Sequence, residues 1–336
     1  MQSVASRIGV IHDERSKSIC TAFCVGVDTV ATAAHCLYST GDQPAVRLSD
    51  VTVKLHGSNT KSRIAGAAQG TAEANVLAGS TSLNVHPPID ATRDWALVRL
   101  EKPLCRAGTF RLARRSVGEV MRLAKSDRVY NVAYHRDLPK WGPRLGRPCH
   151  VQRNFRGSPW TTIRHDFAEP DELLLHTCDT GGASSGSPLL VDGPDGPEVI
   201  GINVGTYVQS KVIMLNDQVV HRFKSDDVAN TGVNSLAFAA ALDNFRASAM
   251  LTTREDVRRL QDALAAKALY TGPHDGRYHP RLHKAIADYE RAAHMPVTGL
   301  ATHALLHTLT VESDVVTGRV PKPRPASRSM AARRHR

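Results

Sequence analysis

The chain has 336 residues, more than one average domain, which predicts one large domain with a smaller companion. Its apolar content of 41% is sufficient for a buried core, and no apolar run approaches the roughly 20 residues of a membrane span, so we expect no transmembrane anchor. The formal charge of +11 does not indicate a nucleic-acid-binding protein, because no basic motif with interleaved aromatic residues is present, and we expect no specific nucleic-acid partner.

Residues 1–245 are predicted to form β-structure. Short runs rich in Val, Ile, Leu and Tyr are separated by clusters of Gly, Pro and Asp, which is typical of an all-β barrel or sandwich. The candidate strands lie at 45–55, 95–100, 128–135, 172–178 and 198–204.

The pattern changes to helical spacing after a linker at residues 246–251. A three-helix unit is predicted at 252–311, with a capping box of Thr252 and Glu255 at its first helix and a proline at the start of its second. The three candidate helices lie at 252–269, 280–294 and 302–309. Residues 312–336 are rich in Pro, Ser and Arg, hold most of the excess positive charge and predict a disordered basic tail.

Six cysteines, all within the first 180 residues, indicate disulfide bonds and an oxidising compartment. They have no spacing typical of zinc ligands, so we expect no metal site and no cofactor. We therefore expect a secreted or periplasmic protein, although the N-terminal MQSVASRIGVIHDERSKS contains no apolar segment of a secretory signal.

Three fragments of the β-region carry residues suited to nucleophilic catalysis. His35 stands in TAAHC, Asp94 begins DWALVRL, and Ser185 lies in the small-residue segment GGASSGSP. A serine hydroxyl attacks only when a nearby base takes its proton, and that base must be oriented by a third group. Each fragment alone is commonly structural, but together they supply a nucleophile, a base and an acid. A Cys20–Cys36 bridge would fix the turn that carries the histidine.

The order His, Asp, Ser on an all-β background resembles the trypsin-like serine proteases over residues 5–245. The similarity is greater to the bacterial branch whose nucleophile turn reads SGSP, as in glutamyl endopeptidases. It implies a chymotrypsin-like double six-stranded barrel and a serine endopeptidase that forms an acyl-enzyme intermediate on protein or peptide substrates.

By this resemblance, His35 is the general base, Asp94 orients it and Ser185 is the nucleophile. The backbone N–H groups of Ala183 and Ser185 would form the oxyanion hole. The family usually has glycine at the place of Ala183. One more small residue than usual precedes the nucleophile, which leaves a second register open in which Ser184 attacks.

The sequence contains fewer indications of substrate specificity than of the catalytic residues. VIGINVGT resembles the strand that contacts the P1 side chain, which makes Asn203, Val204 and Gly205 candidate binding residues. Counting back from Ser185 gives Asp179, which would favour a basic P1 residue if it lay at the pocket base. The adjacent Cys178 is expected to pair with Cys149, and the partners of the remaining cysteines, Cys24 and Cys105, are left open because six cysteines allow 15 connectivities.

The helical unit resembles the type 1 peptidoglycan-binding domain, a small three-helix module. The matches are mostly core and turn residues: Leu260, Gln261, Leu264, the turn Asp275–Tyr278, Ala285, Ile286 and VTG at 297–299. Tyr289-Glu290 stands where Phe-Gln is common.

The resemblance implies peptidoglycan as a further partner and an endopeptidase held at the cell wall. The alternatives are an inert protease homologue that acts as a binding protein, and a helical unit that covers the active cleft.

Overall fold

A first antiparallel β-sheet occupies the N-terminal third of the chain. The computed structural model describes residues 2–38, 40, 45–126, 128–215, 218–295 and 297–316. Among these residues the first sheet has seven strands in the order β5-β4-β1-β2-β3-β7-β6. The strands are β1 (Ile8–Asp13), β2 (Ile19–Gly26), β3 (Thr29–Thr32), β4 (Val51–Leu55), β5 (Lys61–Arg63), β6 (Val76–Ala78) and β7 (Ala96–Arg99).

A second sheet follows, and its described part also has seven strands. Six of them have the order β10-β9-β12-β13-β14-β11, and β8 pairs in parallel with β13. The strands are β8 (Arg111–Leu112), β9 (Val129–Tyr134), β10 (Pro143–Leu145), β11 (Leu173–His176), β12 (Pro188–Gly193), β13 (Gly196–Leu215) and β14 (Gln218–Asn234). The largest buried cluster contains residues of both sheets, such as Phe23 and Ile202, so the sheets pack on one core.

The predicted fold class, an all-β chymotrypsin-like domain followed by a small helical unit, is confirmed. Each sheet has seven described strands where six were expected. The short strands β5, β6, β8 and β10 have only two or three residues, too few to show an alternation of apolar and polar side chains.

Helices join and follow the sheets. They are α1 (Gln2–Ala5), α2 (Val117–Ala124), α3 (Trp160–Ile163), α4 (Leu236–Ala247), α5 (Arg254–Ala266), α6 (Pro280–Ala292) and α7 (His303–Val316). None of the described helices combines the length and apolar content that a bilayer span requires. The tail expected at 312–336 begins within α7, and from residue 317 on it lies outside the described residues.

Helix α4 differs from the prediction, which assigns β-structure up to residue 245. It buries Phe238, Leu242 and Phe245, which are spaced by four and three residues as on one face of a helix. Phe238 stacks on Trp95 at 5.7 Å between ring centroids. The helix therefore closes the β-domain and includes the first two residues of the expected linker.

The C-terminal unit, called the module below, is built from α5, α6 and α7 around Leu260, Ile286 and Leu305. The expected capping box was wrong by one residue: Thr253 is the N-cap of α5, and its hydroxyl accepts a hydrogen bond from Asp256 N at 3.1 Å. Helix α7 extends beyond the predicted third helix to Val316.

A buried amide organises the turn that joins α5 to α6. Gly276 N donates to Gln261 Oε1 at 2.9 Å, and Gln261 Nε2 donates to Arg277 O at 2.8 Å. Gly276 has φ +71°, and a Cβ there would stand 2.3 Å from Arg254 O. The turn thus needs glycine for its conformation and for its contact with α5.

Candidate active site

His35 lies on a single 3-10 turn, Ala34–Cys36, that follows strand β3. The small residues Ala33 and Ala34 are fully buried, which lets the turn pack closely against the first sheet. A disulfide joins Cys36 to Cys20 of β2, so the residue next to His35 is fixed to the neighbouring strand.

Asp94 holds both the backbone and the ring of His35. Its Oδ1 accepts a hydrogen bond from His35 N at 2.9 Å, and its Oδ2 lies 2.7 Å from His35 Nδ1. Asp94 is buried and ends the short turn Ala91–Arg93 just before β7. A carboxylate only accepts hydrogen bonds, so Nδ1 carries the proton and Nε2 is left with a lone pair.

The electrostatics of the pair favour the charged imidazole. Burial alone would lower the pKa of His35, but the charge of Asp94 and its hydrogen bond act in the opposite direction and raise that pKa above its ordinary value of 6.5. The ring keeps 25% of its surface exposed. An imidazole in this state can accept a proton and hold the resulting charge.

The turn that carries Ser185 is fixed to strand β2 by Thr21. Thr21 N donates to Ser185 O at 2.8 Å, and Thr21 Oγ1 donates to Ala183 O, also at 2.8 Å. Thr21 directly follows Cys20, so the Cys20–Cys36 disulfide joins the support of the serine turn to the histidine turn. No local sequence pattern indicates this role of Thr21, because the role depends on a contact across 162 residues.

The two turns are in close contact. Gly186 follows Ser185 with φ +83°, and a Cβ there would stand 2.2 Å from Thr32 Oγ1 and 3.0 Å from Ala33 N. This close approach requires glycine. It places Ser185 beside the segment that ends in His35.

Ala183 adopts a left-handed backbone conformation, with φ +78°. This is the position where the resemblance led us to expect glycine. Among the hydrogen bonds of the described residues, none uses the N–H groups of Ala183 and Ser185 as donors, so both remain available to a ligand.

The neighbouring serines differ in environment. Ser184 is buried, and its hydroxyl accepts hydrogen bonds from Gly181 N at 3.1 Å and Asn203 Nδ2 at 3.4 Å. Ser185 is only partly buried and lines an open cavity. The Ser184 hydroxyl therefore has a structural role in the turn.

Two adjacent cavities lie at the candidate site. One has a volume of about 270 Å³ and is lined by His35, Asp94 and Val204; the other, of about 570 Å³, is lined by Ser185, Asp179 and Asn203. Gly205 and Thr206 of β13 line both cavities. Every described residue that lines them belongs to the β-domain, so the described part of the module does not cover the cleft.

The four candidate substrate residues thus divide between the two cavities. Asp179 is exposed, and its backbone oxygen accepts a hydrogen bond from Asn131 Nδ2 at 2.8 Å. Asn203 is buried, and its Nδ2 donates to Ser184 O at 3.1 Å. Thr180 and Thr206 both donate to Asn230 Oδ1 at 3.0 Å, so hydroxyl and amide groups form much of the larger cavity.

His176 is a residue of the larger cavity that sequence reasoning missed. It is fully buried at the end of β11, and no group among the described residues forms a hydrogen bond of good geometry with either ring nitrogen. Burial lowers the pKa of His176 to about 4, and its polar neighbours Thr231 and Asn203 offset this only in part. The ring is therefore neutral at physiological pH, and only its place at the end of an apolar run hinted at burial.

The described part of the chain contains three disulfides. They join Cys20 to Cys36, Cys24 to Cys105 and Cys149 to Cys178. The sulfurs of Cys20 and Cys36 lie within 4.8 Å of a ring nitrogen of His35. Because both sulfurs are bonded to each other, they are not thiolates and do not supply metal ligands.

Two family profiles match parts of the chain. A family profile described as a trypsin-like peptidase domain matches residues 20–202, and one described as a putative peptidoglycan binding domain matches residues 253–309. The search of curated proteins found no match.

Solved structures similar to the chain include a Glu endopeptidase in complex with MPD, at 14% identity and a TM-score of 0.45, covering 73% of this chain and 93% of the other. A thermostable serine protease, AL20, from an extremophilic microorganism has 15% identity and a TM-score of 0.44, covering 72% and 99%. The peptidase profile spans more than half of the 336 residues, and the chain therefore belongs to the trypsin-like peptidase domain family.

Proposed function

We propose that the protein is a serine endopeptidase in which Ser185, His35 and Asp94 form the catalytic triad. The observation that carries this proposal is the 2.7 Å contact of His35 Nδ1 with Asp94 Oδ2, on a turn packed against the Ser185 turn. It gives the imidazole the tautomer that a general base requires.

In the proposed reaction, His35 Nε2 takes the proton of Ser185 Oγ as this oxygen attacks the scissile carbonyl. The N–H groups of Ala183 and Ser185 bind the oxyanion, each worth about 3 kcal/mol at a comparable site. His35 then protonates the leaving amine, and the acyl-enzyme on Ser185 is hydrolysed by a water that His35 activates.

The environment of the two serines favours Ser185 as the nucleophile. Its side chain borders the cavity shared with Gly205, whereas the Ser184 hydroxyl is buried and hydrogen-bonded within the turn. A nucleophile must reach a substrate carbonyl, and a buried hydroxyl that holds its own loop does not.

A fluorophosphonate probe tests both the activity and the register. We expect covalent labelling of the wild type, its loss in Ser185→Ala and its persistence in Ser184→Ala, with the modified serine located by mass spectrometry. Labelling that survives Ser185→Ala and disappears in Ser184→Ala would reverse the register. A folded wild type that is not labelled would favour the second candidate function, an inert homologue that binds wall material or protein.

The larger cavity supports a polar P1 side chain. Its wall contains the hydroxyls of Thr180 and Thr206 and the amides of Asn203 and Asn230, and Asp179 is exposed rather than enclosed at a base. A peptide library varied at P1 should show faster cleavage after polar residues than after Leu or Phe. Dominant cleavage after Arg and Lys would instead restore the role first expected for Asp179.

The second part of the proposal is that the module holds the enzyme at the cell wall, outside the cytoplasm. Its match to a putative peptidoglycan-binding domain and the three disulfides of the peptidase domain support this location. The full chain, as the Ser185→Ala variant, should be retained on purified murein sacculi and released from them by soluble wall fragments. If the folded protein stays in the supernatant when the sacculi are pelleted, only the wall-binding part of the proposal is contradicted.

A further inference from the structure

A polar cavity lies between the peptidase domain and the module, apart from the catalytic cleft. It has a volume of about 400 Å³. The peptidase domain contributes Arg47, Ser49 and Glu73 to its lining, and the module contributes Arg254 and Arg277. Neither domain alone forms it.

One module residue is held firmly in place at this cavity. Arg254 Nε donates to Gln69 O at 2.9 Å across the domain boundary. Gly70 has φ +70°, and a Cβ there would stand 2.6 Å from Arg254 Nη2. The peptidase-domain loop is thus shaped around this guanidinium, which positions the cavity's positive charge before a ligand binds.

The charged groups around the cavity do not neutralise one another by direct contact. Within the described part of the chain, no ion pair shorter than 4.0 Å joins Glu73 to Arg47, Arg254 or Arg277. Three guanidinium groups and one carboxylate leave an excess of positive charge. An anionic group that enters would therefore meet donors not already used in ion pairs.

Glu73 supplies the opposite kind of group. Burial raises the pKa of Glu73, while its own backbone N–H and the charges of Arg277, His279 and Arg254 act to lower it. No described side chain donates a hydrogen bond to its carboxylate. A cationic donor placed here would offset the loss of solvent around the carboxylate.

We propose that this interdomain cavity binds the head group of an amino acid, a carboxylate and an ammonium on one carbon. Arg277 and Arg47 bind the carboxylate, because guanidinium groups match its two oxygens. Glu73 accepts hydrogen bonds from the ammonium. In peptidoglycan such a head group stands free on the diamino acid of stem peptides that are not cross-linked, so the site would bind wall material that is open to remodelling.

This inference depends on the proposed wall binding and gives it a ligand. A free diamino acid carries the same head group as the stem peptide. The two ligands differ because the other residues of a stem peptide can make additional contacts with the protein. Because the cavity joins both domains, its occupant would also fix the module relative to the peptidase domain.

Calorimetric titration of the full-length Ser185→Ala protein tests the proposal. The probe is the tripeptide L-Ala–γ-D-Glu–meso-diaminopimelate, compared with an analogue that has 2-aminopimelate at its end and so lacks the terminal ammonium. We expect the tripeptide to bind, Arg277→Ala and Arg47→Ala each to weaken binding at least tenfold, and Arg258→Ala to leave it within twofold. Arg258 is the matched control, because it is exposed on the same helix as Arg254 and is not part of the cavity.

Glu73→Gln isolates the ammonium site. The wild type should bind the tripeptide at least tenfold more tightly than the analogue, and this preference should vanish in Glu73→Gln. Equal binding of the two probes to the wild type would mean a simple anion site and would overturn the proposal, as would unchanged binding in Arg277→Ala. Tighter binding of the tripeptide than of free meso-diaminopimelate would identify the stem as the source, and equal binding would identify the free amino acid.

The titration and the sacculus assay distinguish failure of the cavity proposal from failure of the proposed function. If the protein is retained on sacculi but gives no heat with the tripeptide, the cavity proposal fails and the wall-binding proposal stands. If retention is also absent, both fail, while fluorophosphonate labelling still reports on the peptidase site.

Discussion

In the proposed peptidase mechanism, the contact between His35 and Asp94 determines the pH range of activity. A general base must be neutral, and the pKa of His35 is raised above 6.5 by Asp94 despite the opposing effect of burial. Activity should therefore be lost as the pH falls through that raised pKa, so the acidic limb of kcat/KM has its midpoint above 6.5. Peptide hydrolysis measured from pH 5 to 9 gives this midpoint.

The substitution Asp94→Asn removes the negative charge of the side chain next to His35 but keeps the shape of that side chain. We expect kcat to fall by about 10⁴-fold, because the ring loses its preferred tautomer, and the acidic limb to move to lower pH. Asp90→Asn is the control, since Asp90 lines the same cavity without contacting His35. An acidic limb that stays in place in Asp94→Asn would mean that a group other than His35 titrates.

Ala183 is strained by its left-handed backbone. At φ +78° a residue with a Cβ is less stable than glycine, so Ala183→Gly should raise the free energy of unfolding by about 1 kcal/mol. Ala240→Gly, at an exposed position of helix α4, should lower it by about the same amount. Denaturant unfolding of both variants measures the difference. A loss of stability in Ala183→Gly similar to that in Ala240→Gly would show that the turn carries no strain.

At the scale of elements, the turn after α6 depends on a buried carboxylate. Glu290 is buried and accepts hydrogen bonds from Thr298 N at 2.6 Å, Thr298 Oγ1 at 2.6 Å and Gly299 N at 2.8 Å. In Glu290→Gln the NH₂ group replaces Oε1 and donates to the Thr298 hydroxyl, while the charged oxygen that accepts from the two backbone N–H groups becomes a neutral amide oxygen. We expect a loss of about 1–3 kcal/mol of unfolding free energy, read from the helical circular dichroism signal during denaturation.

Glu101→Gln is the matched control for that substitution. Glu101 is exposed, and its backbone N–H, which the substitution leaves in place, donates a hydrogen bond to Arg63 O. The change should therefore alter stability by less than about 0.5 kcal/mol. Equal stability of the two variants would mean that the Glu290 network contributes little to the module.

The sequence predicted the helices and strands that bury one face. It did not predict features whose extent depends on contacts between residues far apart in the chain. The strand and helix patterns identified β7, β9, β11 and α6 because their apolar spacing is local information. The length of the β13–β14 hairpin was not visible, since its pairing extends to Leu215 and Gln218 through a stretch without clear alternation. The one-residue error at the cap of α5 came from Thr252 and Thr253, which are both good N-cap residues.

The same distinction applies to the site. His35, Asp94 and Ser185 could be proposed because each stands in a short motif of its own. Thr21, which fixes the serine turn, and His176, buried at the larger cavity, have no such motif and act only through partners far along the chain. The cavity at Arg254 could not be predicted at all, because it requires the docked position of two domains.

At the scale of the whole molecule, the two domains share part of one core. Ala74 of the peptidase domain is buried in the apolar cluster of the module, and Thr71 Oγ1 donates to Thr252 O at 2.6 Å. A module whose core includes a residue of the neighbouring domain gains stability from docking. Calorimetric unfolding of the full chain should therefore show one cooperative transition.

Ala74→Asp tests that coupling by placing a carboxylate in the shared cluster. A buried charge without a partner costs several kcal/mol, so the module should undock and unfold in a separate, lower transition. Ala107→Asp, at an exposed position of the peptidase domain, should keep the single transition. Two transitions in the wild type would mean that the domains fold independently, and the cavity between them would then lack a fixed geometry. One unchanged transition in Ala74→Asp would mean that the contact of Ala74 with the module does not couple the domains. Undocking should also abolish tripeptide binding in Ala74→Asp. Fluorophosphonate labelling of Ser185 should persist, because all three residues of the proposed triad belong to the peptidase domain.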